Sequence, residues 1–292
     1  MRQYQTITDR LVAMLEAGVR PWQQPWAAAP GGGRPRRVDG TPYRGINTVA
    51  LWMAAQERGF ASPFWMTFKG AKDRGAHVRK GAKAELAFFV GTIQVTDEIG
   101  GEDVERDVRF LKSYCVFNAD EVEGLPSHFY RRAERSTLSE TERCAVADAF
   151  IGHTGAQVVH GGGRAFYRRA TDEIHMPEFG AFTSGEGYYG VLLHELAHWT
   201  GHASRLDRLP ARIVHGDAAY AGEELVAEMT AAFLSADLGV SAEPREDHAS
   251  YLAEWIAALK ADNRVIFRAA AAAEKAAGYL HGLQPAALAA AA

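Results

Sequence analysis

A chain of 292 residues, 47% hydrophobic and 23% charged, is expected to form two water-soluble domains and is not a mainly disordered polymer. It has no apolar run long enough to span a membrane, and its polar opening, MRQYQTITDR, does not read as a signal peptide. Two cysteines, Cys115 and Cys144, are too few for a disulfide framework and fit a cytoplasmic protein.

The formal net charge of −4 hides an asymmetry. The first 90 residues carry 14 Lys+Arg against 6 Asp+Glu and four of the six tryptophans, whereas the remaining 202 carry 18 against 30. Opposite charge in the two parts implies different tasks.

Apolar Ile7, Leu11, Val12 and Leu15 recur at helical spacing and predict an amphipathic helix over 3–17. A Gly/Pro-rich loop follows, then a helix over 47–58 with Asn47 as its N-cap. Residues 62–83 read as a third, short helix and a basic turn punctuated by glycine. ELAFFVGTIQV and DVRFLKSYCVF read as two strands separated by an acidic loop, TDEIGGEDVER. The polar stretch 119–136 is the expected linker, with domain boundaries set at 1–125 and 126–292.

In the second part, the capping-box pattern Ser139-Glu140-Thr141-Glu142 predicts a helix to about residue 152. GAQVVH and AFYRRATDEIHMPE read as short strands, followed by helices at about 187–200, 222–237, 245–260 and 263–281. The expected class is α+β: a small α+β domain, then a mainly helical domain with a short sheet.

The segment VLLHELAHWT carries the chemistry. His194 and His198 are four residues apart, one helical turn, and can chelate one small cation, a task imidazole pairs perform for Zn²⁺. Glu195 adjoins the first imidazole and can act as a general base without coordinating the ion. The alternative is an ordinary apolar helix matching H-E-x-x-H by chance. Burying two imidazoles and a carboxylate without an ion would leave costly unpaired polar groups.

A third ligand has to come from elsewhere. His202 lies about 12 Å further along a straight helix than His194, and the position where an H-E-x-x-H-x-x-G-x-x-H pattern needs histidine holds Ser204. The helix AGEELVAEMTAAFLSADLG offers Glu224 as ligand and Glu228 as the group orienting a histidine, with the reverse assignment open. Glu223 reads as a solvated position, and Asp237 as a structural group near a helix end. Two histidines and a glutamate accept Zn²⁺, Mn²⁺ or Co²⁺.

HELAHWTGHASRLDR (194–208) and YAGEELVAEMTAAFL (220–234) resemble the metallopeptidase domain of ArdC-type antirestriction proteins and the related N-terminal regions of plasmid conjugative primases. YQTITDRLVAMLEAGVRPWQQPW, PYRGINTVALW and FWMTFKGAKDRGAHVRKGAK resemble the same family's N-terminal single-stranded-DNA-binding domain. The resemblance implies a role in protecting incoming plasmid DNA from host restriction during conjugation. It also implies a zincin-like fold around His194, Glu195, His198 and one carboxylate of EELVAE. Primase activity is not carried over, and no peptidase substrate is implied.

Single strands are held by cations on phosphates and aromatic rings on bases. Trp65 and Phe68 with Lys69, Lys72, Arg74, Arg79, Lys80 and Lys83 supply both, and Arg44 adds to a second basic cluster. A core role is the competing reading for the two aromatics, and it is preferred for Trp52, Phe88 and Phe89. The expected partners are single-stranded DNA and a protein substrate, with no membrane. Two alternatives stay open: a DNA-binding protein whose metal domain is a silent scaffold, and a processing protease whose first domain recognises protein.

Overall fold

Burial of an apolar stripe explains the first helix, α1 (Arg2–Glu16), in which Ile7, Leu11, Val12 and Leu15 are all buried. The computed structural model describes residues 2–22, 33–99, 102–130, 144–209, 218–240 and 249–285, and its class is α+β. The next helix, α2 (Ile46–Arg58), is buried on nearly every turn of its first two-thirds. Its N-cap is Gly45, not Asn47. Asn47 serves another element: its amide donates to the Phe88 carbonyl at 2.8 Å and accepts from the Phe88 N–H at 2.7 Å.

Phe88 belongs to a long antiparallel ribbon of β3 (Glu85–Ile99) and β4 (Glu102–Asn118). Before it come β1 (Trp65–Met66), which pairs with the end of β4, the short helix α3 (Phe68–Lys72) and β2 (His77–Val78). The acidic segment expected as a loop is strand almost throughout, the pairing running from Glu85–Val116 to Ile99–Glu102. Arg106 pairs with Asp97 across the ribbon, so the charge of this segment is compatible with strand pairing.

The expected linker is also structured in its first part. Strand β5 (Val122–Glu123) pairs with β2, and Phe129 packs with Met66, Ala71 and Val122. Its remainder, 131–136, lies outside the described residues, as does the capping-box segment 139–142.

The described part of the next helix, α4 (Ala145–His153), leads to a three-stranded sheet in the order β6 (Gln157–His160), β8 (Glu173–Met176), β7 (Phe166–Arg168). This sheet lies over α5 (Gly185–Thr200), whose first turn is capped by Ser184 accepting from the Gly187 N–H at 2.9 Å. Three more helices, α6 (Ala218–Leu238), α7 (Ala249–Ala261) and α8 (Val265–Gly282), complete the described chain. Buried alanines 269, 270, 273 and 277 on α8 permit close helix approach. The main apolar cluster takes Leu11, Leu15, Trp22 and Trp52 together with Leu193, Phe233, Trp255 and Ile266, so both parts of the chain share one core. No helix of the described residues is long and apolar enough to cross a membrane.

Candidate metal centre

Helix α5 carries the chemistry among largely apolar neighbours: His194 and Glu195 are buried, and His198 reaches the edge of the site. The Nε2 atoms of the two histidines lie 3.1 Å apart. Helix α6 crosses beside α5 and brings Glu224 in, with one carboxylate oxygen 3.4 Å from His194 Nε2 and the other 3.5 Å from His198 Nε2. Tetrahedral coordination with Zn–N bonds near 2 Å separates two ligand nitrogens by about 3.3 Å. The donor set and its spacing therefore fit one divalent cation, and all three donors lie within 4.8 Å of one another.

The far side of each imidazole meets a different glutamate. Glu228 Oε1 is 2.8 Å from His194 Nδ1, and Glu223 Oε1 is 3.2 Å from His198 Nδ1. Both contacts favour the proton on Nδ1, which turns the Nε2 lone pair toward an ion. Glu223 is thus buried at the centre, not solvated. Arg208 holds it with two nitrogens at 2.8 Å, while also donating to the Ala197 carbonyl and the Thr200 hydroxyl. The chain can fold back this closely because residue 201 is glycine. A Cβ there would lie 2.8 Å from Leu209 and 3.1 Å from the Arg208 guanidinium.

The field of this cluster favours positive charge. Burial lowers the His198 pKa, but Glu223 and Glu224 outweigh it and push it up to about 10. Burial raises Glu224, yet its hydrogen bonds to His194 and His198 hold it well below the carboxylate range. Glu223 is likewise raised by burial and lowered further by Arg208 and His198.

Glu195 points to the sheet, where its Oε2 accepts from the Tyr167 N–H of β7 at 2.9 Å. That strand is pinned in turn. The Tyr167 hydroxyl donates to Asp172 at 2.7 Å, and Arg205 clasps Asp172 while stacking 3.8 Å from the centre of the Trp199 ring. Burial, then Asp172, pushes the Tyr167 phenol well above the usual phenol range. His202 stays outside the cluster, its Nδ1 2.8 Å from the Ser204 hydroxyl.

In the basic segment, Trp65 is 1% exposed and packs edge-on against Phe60 in a cluster with Tyr43 and Leu51. With no open face it cannot stack on a base, and it is a core residue. Phe68 is 60% exposed at the start of α3. Lys72, Lys80 and Lys83 are exposed, Lys69 pairs with Asp73 at 2.6 Å, and Arg74 donates to the Gly70 carbonyl. Arg79 lies 3.1 Å from Glu123, and exposed Arg44 lies 3.8 Å from Glu274. Asp237 bridges Arg34 and His281 at 2.8 and 3.0 Å. Phe89, expected in the core, is 53% exposed.

Two imidazoles one turn apart, a carboxylate from the following helix and a short sheet alongside define a zincin-like metallopeptidase domain. Residues 145–272 match that family, and residues 1–117 match the N-terminal domain of the anti-restriction factor ArdC. The crystal structure of antirestriction protein ArdC from plasmid R388 in its metal-free form superposes with a TM-score of 0.83 at 42% identity, covering 96% of this chain and 97% of that one. Its Mn(II)-bound form gives 0.80 at 40% identity over the same shares of the two chains. Protein y4eC of Sinorhizobium fredii (strain NBRC 101917 / NGR234) is 38% identical over 96% of this chain and 92% of its own. The DNA primase TraC of Escherichia coli is 41% identical over 93% of this chain, which spans only 26% of the primase. This chain belongs to the ArdC family of antirestriction proteins.

Proposed function

We propose that this chain binds single-stranded DNA, protects plasmid DNA entering the cytoplasm by conjugation, and carries a metal-dependent peptidase centre. The observation that carries the peptidase reading is the convergence of His194, His198 and Glu224 on one point, with Glu195 adjacent. His194, His198 and Glu224 are the proposed ligands of Zn²⁺, or of Mn²⁺ or Co²⁺ as the relative's Mn(II)-bound form suggests. Glu228 and Glu223 hold the two imidazoles in register. The ion, when bound, would polarise a substrate carbonyl and acidify water. Glu195 is the proposed general base: its carboxylate takes the water proton and returns it to the departing amine. The Tyr167 N–H fixes one oxygen of that carboxylate and with it the orientation of the side chain. Strand β7 is an edge of its sheet, and an extended protein substrate can pair there beside Glu195.

The working division proposed is 1–125 for DNA and 126–292 for the metal centre. Phe68, Lys69, Lys72, Arg74, Arg79, Lys80, Lys83 and Arg44 are the proposed DNA contacts. All are exposed, as electrostatic tracking of phosphates requires. One observation favours a second reading, in which the metal domain is a structural scaffold: Glu195 is only 4% exposed and already hydrogen-bonded.

Glu195→Ala separates the two. The peptidase reading predicts that metal content and oligonucleotide affinity stay at wild-type level while peptide hydrolysis and protection of conjugated DNA are both lost. Protection that persists in this variant overturns a peptidase-dependent mechanism.

A further inference from the structure

The ribbon of β3 and β4 carries one face from the core into solvent. At its inner end this face holds Ala87, fully buried beside Tyr43 and Trp65, opposite Tyr114. Two residues outward, Phe89 stands opposite Lys112, and two further Gly91 stands opposite Phe110. The pattern continues the buried face, yet Phe89 is more than half exposed.

The residue between the rings explains their posture. A Cβ at Gly91 would lie 2.5 Å from Phe110 Cζ and 2.8 Å from Phe89 Cε1. Any other residue would therefore prop both rings away from the backbone. With glycine they lie over it side by side, their centres 6.1 Å apart and tilted by 54°. Lys112 Nζ lies 5.1 Å from the centre of the Phe110 ring, and nearer the body Arg37 caps the ring of Tyr43, which contacts Tyr114. Flat rings with a cation alongside match a nucleobase and its phosphate. A duplex hides its base faces, and an apolar peptide has no need of the cations. Outward from the two rings the acids of the ribbon begin at Asp107, opposite Gln94, so phosphates are confined to the part nearer the body than that pair.

We propose that Phe89 and Phe110 form a base-stacking platform for single-stranded DNA, with Lys112 on the adjoining phosphate. The proposal rests on the DNA-binding reading above and adds a site separate from the basic segment 64–83.

The test uses the full-length chain and a labelled oligo(dT). Phe89→Ala and Phe110→Ala should each weaken binding about tenfold, and Phe89→Tyr should restore it. Gly91→Val, which keeps both rings but lifts them, should weaken binding as well. An oligonucleotide of abasic sites, with phosphates but no bases, should bind wild type and Phe89→Ala alike. Unchanged thermal melting of each variant excludes misfolding as the cause. If wild type binds oligo(dT) and both alanine variants bind it equally well, the platform is wrong and the DNA-binding reading stands. If wild type does not bind, the two fall together. If Phe89→Ala instead abolishes a dimer seen by sedimentation without altering DNA affinity, the face belongs to a second copy of the chain and the platform is overturned.

Discussion

His194 and His198 each turn one nitrogen toward the shared point and the other toward a separate glutamate of α6, so the proposed centre depends on five side chains. Removing an outer carboxylate should weaken metal binding without abolishing it. Glu228→Gln and Glu223→Gln are each expected to lower affinity by about 10- to 100-fold, measured by competition with a chromogenic chelator. Wild-type affinity in both variants contradicts the arrangement. Asp172 offers a pH test. Its hydrogen bond from Arg205 holds the carboxyl below the ordinary aspartate range, against the opposing effect of burial. A carboxyl depressed by folding contributes stability above its unfolded value of about 3.9 and loses it as pH falls through the folded one. Asp172→Asn keeps a residue type tolerant of the positive φ of 56° found there. It should lower Tm at pH 7, the gap closing below about pH 4; an equal gap at both pH values argues against the clasp. The spacing of His194, Glu195 and His198 was legible because it is a helical period. The burial of Glu223 was not, since it depends on Arg208 returning through the bend at Gly201, a tertiary event with no local pattern.

At the level of elements, helix α2 and the ribbon are joined through one amide. Asn47 satisfies both the N–H and the carbonyl of Phe88, all three groups being buried. Asn47→Ala strands a buried donor and a buried acceptor and should cost about 2–4 kcal/mol in urea unfolding. A loss within experimental error of zero would mean that the ribbon is held elsewhere. The sequence pattern that suggested an N-cap was correct about a helix start nearby and wrong about the role, because the side chain was claimed by a strand 41 residues away. The acidic segment 96–106 misled in the opposite direction. Its charge read as loop, yet charged side chains are compatible with pairing in the exposed outer part of the ribbon. Trp65 and Phe89 exchanged their expected places for a related reason: apolar composition says how much of a strand can be buried, but not where the body of the protein ends.

Across the whole molecule, the basic first part and the acidic second part are locked through a common interior. Trp22 meets Trp255 edge-on at 6.0 Å, Trp52 meets Phe233 at 5.8 Å, and Arg34, nearly buried, joins Asp237 of α6 to Glu274 of α8. Arg34→Met leaves two carboxylates facing an uncharged side chain and should destabilise the fold by about 3–5 kcal/mol. Because α6 also carries Glu223, Glu224 and Glu228, the variant should melt the metal centre and the DNA-binding part in one transition; two separate transitions in wild type would contradict a shared core. The α+β class and the order of helices were legible from periodicity, whereas this docking rests on long-range pairs that no window of sequence contains. The most direct measurement is the metal content of the purified full-length chain after exposure to Zn²⁺ or Mn²⁺ and removal of excess. One tightly held divalent ion is expected per wild-type chain, with loss of that ion in His194→Ala while the fold stays intact. Equal metal retention by the two proteins, or none by wild type, would contradict the proposed centre.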